Sequence, residues 1–355
     1  MTVDDKLSGN RRQFIFKLGA AVPVAPAILR ATDKGGTKLP VTGSGAYVYE
    51  AQHDWGELPK TIRYGNTHGV CVDAQGHIYI HHTVHASSES DDTMVVFDRN
   101  GKFVRSWGKE FKGGAHGLHI QQEGSSEFLY LCDTQRAVVV KMTLKGEKVW
   151  ELGYPKESPA YRLNADGSPA VKYSPTNLAI GPNLDVYVAD GYGSSFINQY
   201  NAKGEFIRTF GGAGAEPGQL DCPHGIVLDQ RAKEPRLLVA DRKNRRFQYF
   251  SLDGKHAGFA ALGDVKLPCH FDHRNELLLV PDLEARVTLM DNSDHLLTHL
   301  GEDDSNTWGQ LRKEERSRFV PGKFVCPHSA CFDHDGNIFV VEWVEVGRVT
   351  KLRRV

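Results

Sequence analysis

One structural unit recurs six times along this chain, and no other feature restricts the fold as much. Each copy opens with a small residue or a proline and an apolar strand. A Gly or Asn turn follows, then a second strand rich in Val, Ile, Leu and Tyr that often ends in Asp or Glu. The openings are Thr67-His68-Gly69-Val70, Ala115-His116-Gly117-Leu118, Pro175-Thr176-Asn177-Leu178, Pro223-His224-Gly225-Ile226, a divergent stretch around Leu267 to Phe271, and Pro327-His328-Ser329-Ala330. Five of the second strands end at Asp133, Asp190, Asp241, Asp282 and Glu342. Two further strands close each unit, as in Thr93 to Asp98 and Phe103 to Trp107 around Gly101. Four short strands repeated every roughly 40–60 residues, with no helical period, predict an all-β, six-bladed β-propeller. One unit cannot bury both faces of its sheet alone, so the blades must stack around an axis. The last unit stops after three strands, at Arg348 to Val355, and the segment Ala46 to Glu50 is expected to supply its fourth and close the ring.

The N-terminal residues are set apart from this domain. Arg11 and Arg12 precede Gln13-Phe14-Ile15-Phe16-Lys17, an apolar run from Leu18 to Leu29, and a small-x-small site at Ala25-Pro26-Ala27. That order fits a twin-arginine export signal over residues 1–31, with an amphipathic N-terminal helix as the alternative. It predicts a periplasmic or extracellular protein that crosses the membrane already folded, a route suited to a domain that acquires its metal first. The apolar run is too short to span a bilayer stably, and no other stretch reaches the roughly twenty residues needed. Residues 32–44 read as a linker, leaving 45–355 for the propeller. A net charge of −1 leaves no electrostatic footprint for nucleic acid or an anionic membrane. The six cysteines lack the spacing of a disulfide framework and read mostly as buried thiols. A monomer is expected.

In a propeller the innermost strand of every blade lines the central channel, so equivalent positions form a ring. Here the ring reads His68, His116, Thr176, His224, Leu267 and His328. Blades two, four and six are related by roughly 120°. Their histidines, His116, His224 and His328, should meet on the axis as a three-ligand metal site with an open fourth position. Zinc is the default ion, and iron or another divalent metal could take the same ligands. His68 reads as a supporting or substrate-facing group. His270 falls out of ring register and reads as structural. Cys222 and Cys326 each precede Pro-His and are expected to pack against the neighbouring blade. No G-x-S-x-G elbow, P-loop, dinucleotide fingerprint or paired CxxC is present.

Blades three and four carry a more specific pattern: Pro175-Thr176-Asn177-Leu178, Val186 to Tyr192 with its Asp190-Gly191-Tyr192, Gly218-Gln219, Cys222-Pro223-His224-Gly225, and Leu237 to Asn244 with its Ala240-Asp241-Arg242. On these residues the chain resembles NHL-type propellers over 45–355 and, within that class, is similar to the peptidyl-α-hydroxyglycine α-amidating lyases. The resemblance implies zinc ligands at His116, His224 and His328, and cleavage of a C-terminal α-hydroxyglycine to glyoxylate and a peptide amide. It implies that Tyr192 is the base acting on the substrate hydroxyl, with zinc stabilising the oxyanion. A tyrosine with an ordinary pKa near 10 needs a nearby cation for that task. Arg242, on the same rim, could clamp a carboxylate. Two departures matter. Where the family has an arginine after the second strand of blade one, this chain has His82, which puts an imidazole beside the substrate or the site. The family's calcium-binding Asp after the sixth-blade histidine is Ser329 here, which leaves calcium only the backbone carbonyl of Leu118.

Two long connections, Tyr154 to Tyr173 and Gly301 to Lys323, should lie on the face where the channel histidines begin. Tyr161, Arg162, Trp308, Arg312 and Arg316 could wall a pocket there, although the run from Arg312 to Arg318 also reads as a short solvated helix. The chain is thus expected to be an exported metal-dependent lyase or hydrolase acting on a small-molecule or peptide substrate. Two other classes stay open: a non-catalytic NHL propeller that binds a peptide, protein or glycan, and a lactonase-like sugar-processing propeller. The ring's histidines, rather than carboxylates, argue against the latter.

Overall fold

A computed structural model of the chain describes residues 39–260 and 265–355. The export signal and most of the linker expected for the first 38 positions lie outside the described residues. The remainder forms six antiparallel sheets, each counted as one blade and running from the channel outwards in chain order. Blade 2, for example, comprises Ala115–Glu123, Ser126–Asp133, Val138–Thr143 and Lys148–Leu152. In blade 6, Pro327–Phe332, Ile338–Glu342 and Arg348–Arg354 are joined by the N-terminal strand Tyr47–His53. That strand pairs from Tyr49 opposite Arg354 to His53 opposite Thr350, so the two ends of the propeller close one sheet. Val41–Ser44 then pairs with Tyr47–His53 as a fifth, outermost strand. The linker expected through residue 44 therefore yields to strand from Val41 onward.

The apolar runs of the middle strands follow from burial on both faces. Consecutive side chains on a strand point to opposite faces. Met94 and Val96 accordingly pack on Leu118, Leu129 and Leu131 of blade 2, while Val95 and Phe97 pack on Phe339 and Val341 of blade 6. The same sandwich recurs between the other neighbouring blades, and Tyr49 and Ala51 of the closing strand join the one between blades 5 and 6. Each fully buried side chain of this size contributes about 1.5–3 kcal/mol. That gain exists only when the neighbouring blade is present.

The acids that end the second strands have a positioning task. In blades 3 to 6 their carboxylates accept backbone N–H groups just upstream of the channel strand, whereas Asp133 of blade 2 accepts those of Gln135 and Arg136 just after its own strand. Asp241 accepts from Asp221 (2.6 Å), Asp190 from Ser174 (2.6 Å), Glu342 from Val325 (2.7 Å), and Asp282 from Lys266 and Leu267 (3.0 and 2.9 Å). Each pin lies two to three residues before a ring position, so it sets where that ring residue enters the channel. Blade 1 departs from the pattern, because His82 occupies the place of the acid, opposite Thr67.

Candidate functional site

The channel strands bring His116, His224 and His328 into a nearly equilateral triangle. Their ring centroids are 4.9 Å (His116–His224), 4.9 Å (His224–His328) and 4.7 Å (His116–His328) apart. Each Nδ1 is tied to the backbone carbonyl of the ring residue in the next blade: His116 to Thr176 (2.7 Å), His224 to Cys269 (2.8 Å) and His328 to His68 (2.8 Å). An imidazole whose Nδ1–H donates to a carbonyl has its Nε2 lone pair free, which is the tautomer and the outer-shell support of a metal ligand. After His116 and His224 a glycine leaves room for the neighbouring carbonyl, whereas Ser329 follows His328. A Cβ at Gly117 would lie 2.6 Å from the Thr176 carbonyl oxygen, and one at Gly225 would lie 2.7 Å from that of Cys269.

The three gaps between these histidines are filled by groups from the other blades. The Tyr192 hydroxyl sits between His224 Nε2 (3.0 Å) and His116 Nε2 (3.3 Å). His68 lies between His116 and His328, with centroids at 4.7 and 4.4 Å, and its Nδ1 is 3.2 Å from His328 Nε2. Because His328 Nδ1 already donates to a carbonyl, His68 Nδ1–H is the donor here. Cys269 takes the third gap, where its sulfur and the ring nitrogens of His224 and His328 all lie within 4.8 Å of one another. His68, His116 and His328 form a second such group. His68 therefore stands in the ring itself.

Blade 5 corrects the register. The ring position is Cys269, whose carbonyl receives His224, whereas Leu267 lies two residues upstream, where the Asp282 carboxylate holds its N–H. Pro268 bridges to Asp282 as Pro327 pairs with Glu342. Blade 5 turns tightly from Arg274 to Leu277 with Asn275 at φ 55°, a shorter hairpin than the one from Phe332 to Ile338 in blade 6. A gapless match through Phe271 and Phe332 misses that shortening.

Arg242 lies beside the triangle. Its guanidinium is 5.4 Å from the Tyr192 ring centroid, with Nη2 3.1 Å from Cys222 Sγ and Nη1 3.7 Å from Cys269 Sγ. Thiols are weak acceptors, and Arg242 forms no ion pair with a carboxylate among the described residues. A partly buried guanidinium without a counter-ion favours an incoming anion. Burial pushes the Tyr192 hydroxyl up to about 12, and Arg242 works in the opposite direction.

Other expected residues lie elsewhere. His82 packs edge-on against Tyr64 (4.9 Å between centroids), and its Nδ1 accepts the Val84 N–H (3.1 Å), so it fills the pin position of blade 1. Tyr161 is buried and donates to Asp190 (2.8 Å), so it supports the pin of blade 3 and walls no pocket. Arg162 is exposed. Trp308 belongs to a single helical turn, Trp308–Leu311, packed over Leu283, Cys326 and Val344. Arg312 stacks 3.5 Å above Trp343, and Arg316 pairs with Asp54 at 2.9 Å. The solvated helix expected from Arg312 to Arg318 is reduced to a 3₁₀ turn at Arg316–Arg318. A cleft of about 420 Å³ borders Tyr64, His85 and Arg316 and includes none of the ring histidines. All six cysteines are buried free thiols. Ser329 Oγ is buried without a hydrogen-bond partner.

Burial holds the imidazoles of His116, His81 and His82 down to about 3 and pushes those of His68, His224 and His328 well below the usual value. In the unfolded chain the same groups titrate near about 6.5. Between these limits the unfolded chain binds protons that the folded chain refuses. Folded-state stability is therefore lost as pH falls, by up to about 1.4 kcal/mol per pH unit for each such histidine. The chelator-treated protein should show a melting temperature that drops steeply below about pH 6. A melting temperature that stays level between pH 7 and pH 5 would show that these imidazoles are not held neutral.

No family model matches the chain. It is similar in sequence to the peptidyl-glycine α-amidating monooxygenase of Mus musculus, with 31% identity across 46% of this chain and 16% of the mouse protein. A probable peptidyl-α-hydroxyglycine α-amidating lyase of Caenorhabditis elegans is 28% identical across 58% of this chain and 59% of its own length. Peptidyl-α-hydroxyglycine α-amidating lyase 1 of Drosophila melanogaster is 26% identical across 83% of this chain and 58% of its own. The chain thus spans about one sixth of the monooxygenase and less than two thirds of either lyase. Among solved structures, a streptogramin B lyase superposes with a TM-score of 0.55 at 12% identity, covering 87% of this chain and 99% of that one. A gluconolactonase-like protein superposes with a TM-score of 0.55 at 11% identity, covering 86% and 93%. At such identities these two describe the fold alone.

Proposed function

We propose that the chain is a metal-dependent lyase that cleaves a C-terminal α-hydroxyglycine, releasing glyoxylate and leaving an amide. One observation carries this reading above the others. Three imidazoles with tied Nδ1 atoms surround one level of the channel, their ring centroids 4.7 to 4.9 Å apart, beside a tyrosine hydroxyl and an arginine that has no carboxylate partner among the described residues. The sequence similarity to proteins named for that reaction supports it. The neutral, outward-anchored imidazoles suit zinc or iron, held by His116, His224 and His328. When bound there, the ion supplies a Lewis acid for the oxygen that develops negative charge.

The chain's own residues account for the remainder. Arg242 receives the substrate carboxylate, a stronger acceptor than the thiol sulfurs its guanidinium now meets. That contact orients the α-hydroxyl towards Tyr192. Tyr192 accepts the hydroxyl proton as the carbon–nitrogen bond breaks, and the departing nitrogen takes a proton to become the amide. The buried ring and the guanidinium at 5.4 Å set opposing demands on the phenol, so Arg242 helps Tyr192 to ionise. Export by the twin-arginine route belongs to the same proposal, as does a periplasmic or extracellular location. Incubating the metal-loaded protein with a short peptide ending in α-hydroxyglycine, and measuring glyoxylate, tests the reaction. Stoichiometric glyoxylate and peptide amide are expected; no release above the uncatalysed rate with metal bound would overturn it.

A further inference from the structure

The three ring residues that do not belong to the histidine triangle differ in what their side chains are free to do. Thr176 is committed: its Oγ1 donates to backbone carbonyls, at 3.2 Å to Ala189 and 3.0 Å to Pro223, and so turns away from the axis. His68 is turned inward and reaches His328. Cys269 is also turned inward. Its backbone carbonyl anchors His224, while its sulfur lies within 4.8 Å of the ring nitrogens of both His224 and His328. His68 shows that one ring residue can do both things at once, since its carbonyl anchors His328 while its own ring meets the same histidine.

We propose that Cys269 is a thiolate ligand of the metal held by the channel histidines, so that the centre has three nitrogen donors and one sulfur donor. The inference rests on the metal-dependent reading above and adds a donor to it. Around a tetrahedral ion with nitrogen at about 2.0–2.1 Å and sulfur at about 2.3 Å, neighbouring donors stand roughly 3.5 Å apart. Small side-chain rotations bring the Cys269, His224 and His328 group to that spacing. The Cys269 sulfur is otherwise poorly used: it has a weak contact with Arg242 Nη1 at 3.7 Å and one with the Leu267 carbonyl at 3.6 Å. Arg242 also places a positive charge beside the sulfur, which suits the thiolate. Metal binding then releases the thiol proton to solvent. Two consequences follow for the site. A soft sulfur donor turns its preference towards zinc and other thiophilic ions and away from calcium and magnesium. The side occupied by Tyr192 is the one on which a substrate oxygen would approach as a fifth donor.

Cobalt(II) is the probe. The full chain, stripped with a chelator and titrated with cobalt, should bind one ion and show visible ligand-field bands together with a near-ultraviolet thiolate-to-cobalt charge-transfer band. Cys269→Ser should lose the near-ultraviolet band and keep the visible ones, while Cys222→Ser should keep both. Visible bands without the near-ultraviolet band in the unmodified protein overturn the Cys269 assignment and leave the histidine site standing. Persistence of the band in Cys269→Ser overturns it as well. Absence of any cobalt binding removes the metal site itself, and Cys269 with it. Should Cys269→Ser fold poorly, zinc X-ray absorption on the unmodified protein decides the matter: one sulfur scatterer at about 2.3 Å is expected, and nitrogen or oxygen scatterers alone refute it.

Discussion

Alanine at His224 is expected to remove stoichiometric metal and turnover together while the propeller stays folded. His224 supplies one of the proposed donors and borders both Tyr192 and Cys269, so its loss opens the donor set on two sides. Lewis-acid stabilisation of a developing charge contributes several kcal/mol, so its loss should lower kcat/KM by about a thousandfold or more. The structural cost is smaller. Truncation leaves the Cys269 carbonyl without the donor it now holds at 2.8 Å, a penalty of about 1–3 kcal/mol. No blade-to-blade sandwich loses a side chain, since the ring lies inside the apolar clusters. The same outcome is expected for His116→Ala and His328→Ala. Elemental mass spectrometry for metal per chain, with thermal melts for the fold, makes the comparison. Full metal content in all three variants would remove the triangle from the mechanism.

The second large effect belongs to Tyr192→Phe. The substitution deletes a single oxygen, one that lies 3.0 and 3.3 Å from two Nε2 atoms and beside the Arg242 guanidinium, and leaves the ring in place. Metal content should therefore persist and KM should change little. Loss of a positioned general base lowers kcat by about 10²–10⁴-fold. Metal retention separates this variant from the histidine variants, because it assigns Tyr192 to the proton rather than to the ion. Turnover close to that of the unmodified protein would exclude Tyr192 as the base.

Much of the architecture is legible in the sequence. Repeat spacing and the paired apolar strands dictated six blades, because a four-stranded unit with two apolar faces has no stable solution except stacking on its neighbours. The incomplete last unit and the orphan strand at Ala46 to Glu50 implied the closure seen between Tyr49 and Arg354. Periodicity also placed His116, His224 and His328 at equivalent positions, which a propeller must bring to one level of its channel.

Other features needed the fold. Blade 5 shortens its hairpin at Asn275, a local change that any gapless comparison absorbs as a register error, and so Leu267 stood in the place of Cys269. His82 lies in a histidine-rich run whose composition suggested a site, yet the pairing of Thr67 with His82 sends its ring towards Tyr64. Tyr161 and Arg312 sit in long connections that looked like pocket walls, and tertiary contacts absorbed them at Asp190 and Trp343.

The division has a physical origin. Strand periodicity, turn residues and repeat length are local properties, and the need to bury both faces of each sheet converts them into a global architecture. Residues 45–355 thereby determined the blades, their number and the level of the ring histidines. The direction of each ring side chain depends on which carbonyl or thiol the next blade presents, across contacts far apart in the chain. Only the closed tertiary structure decided that His68 and Cys269 turn to the axis while Thr176 turns away.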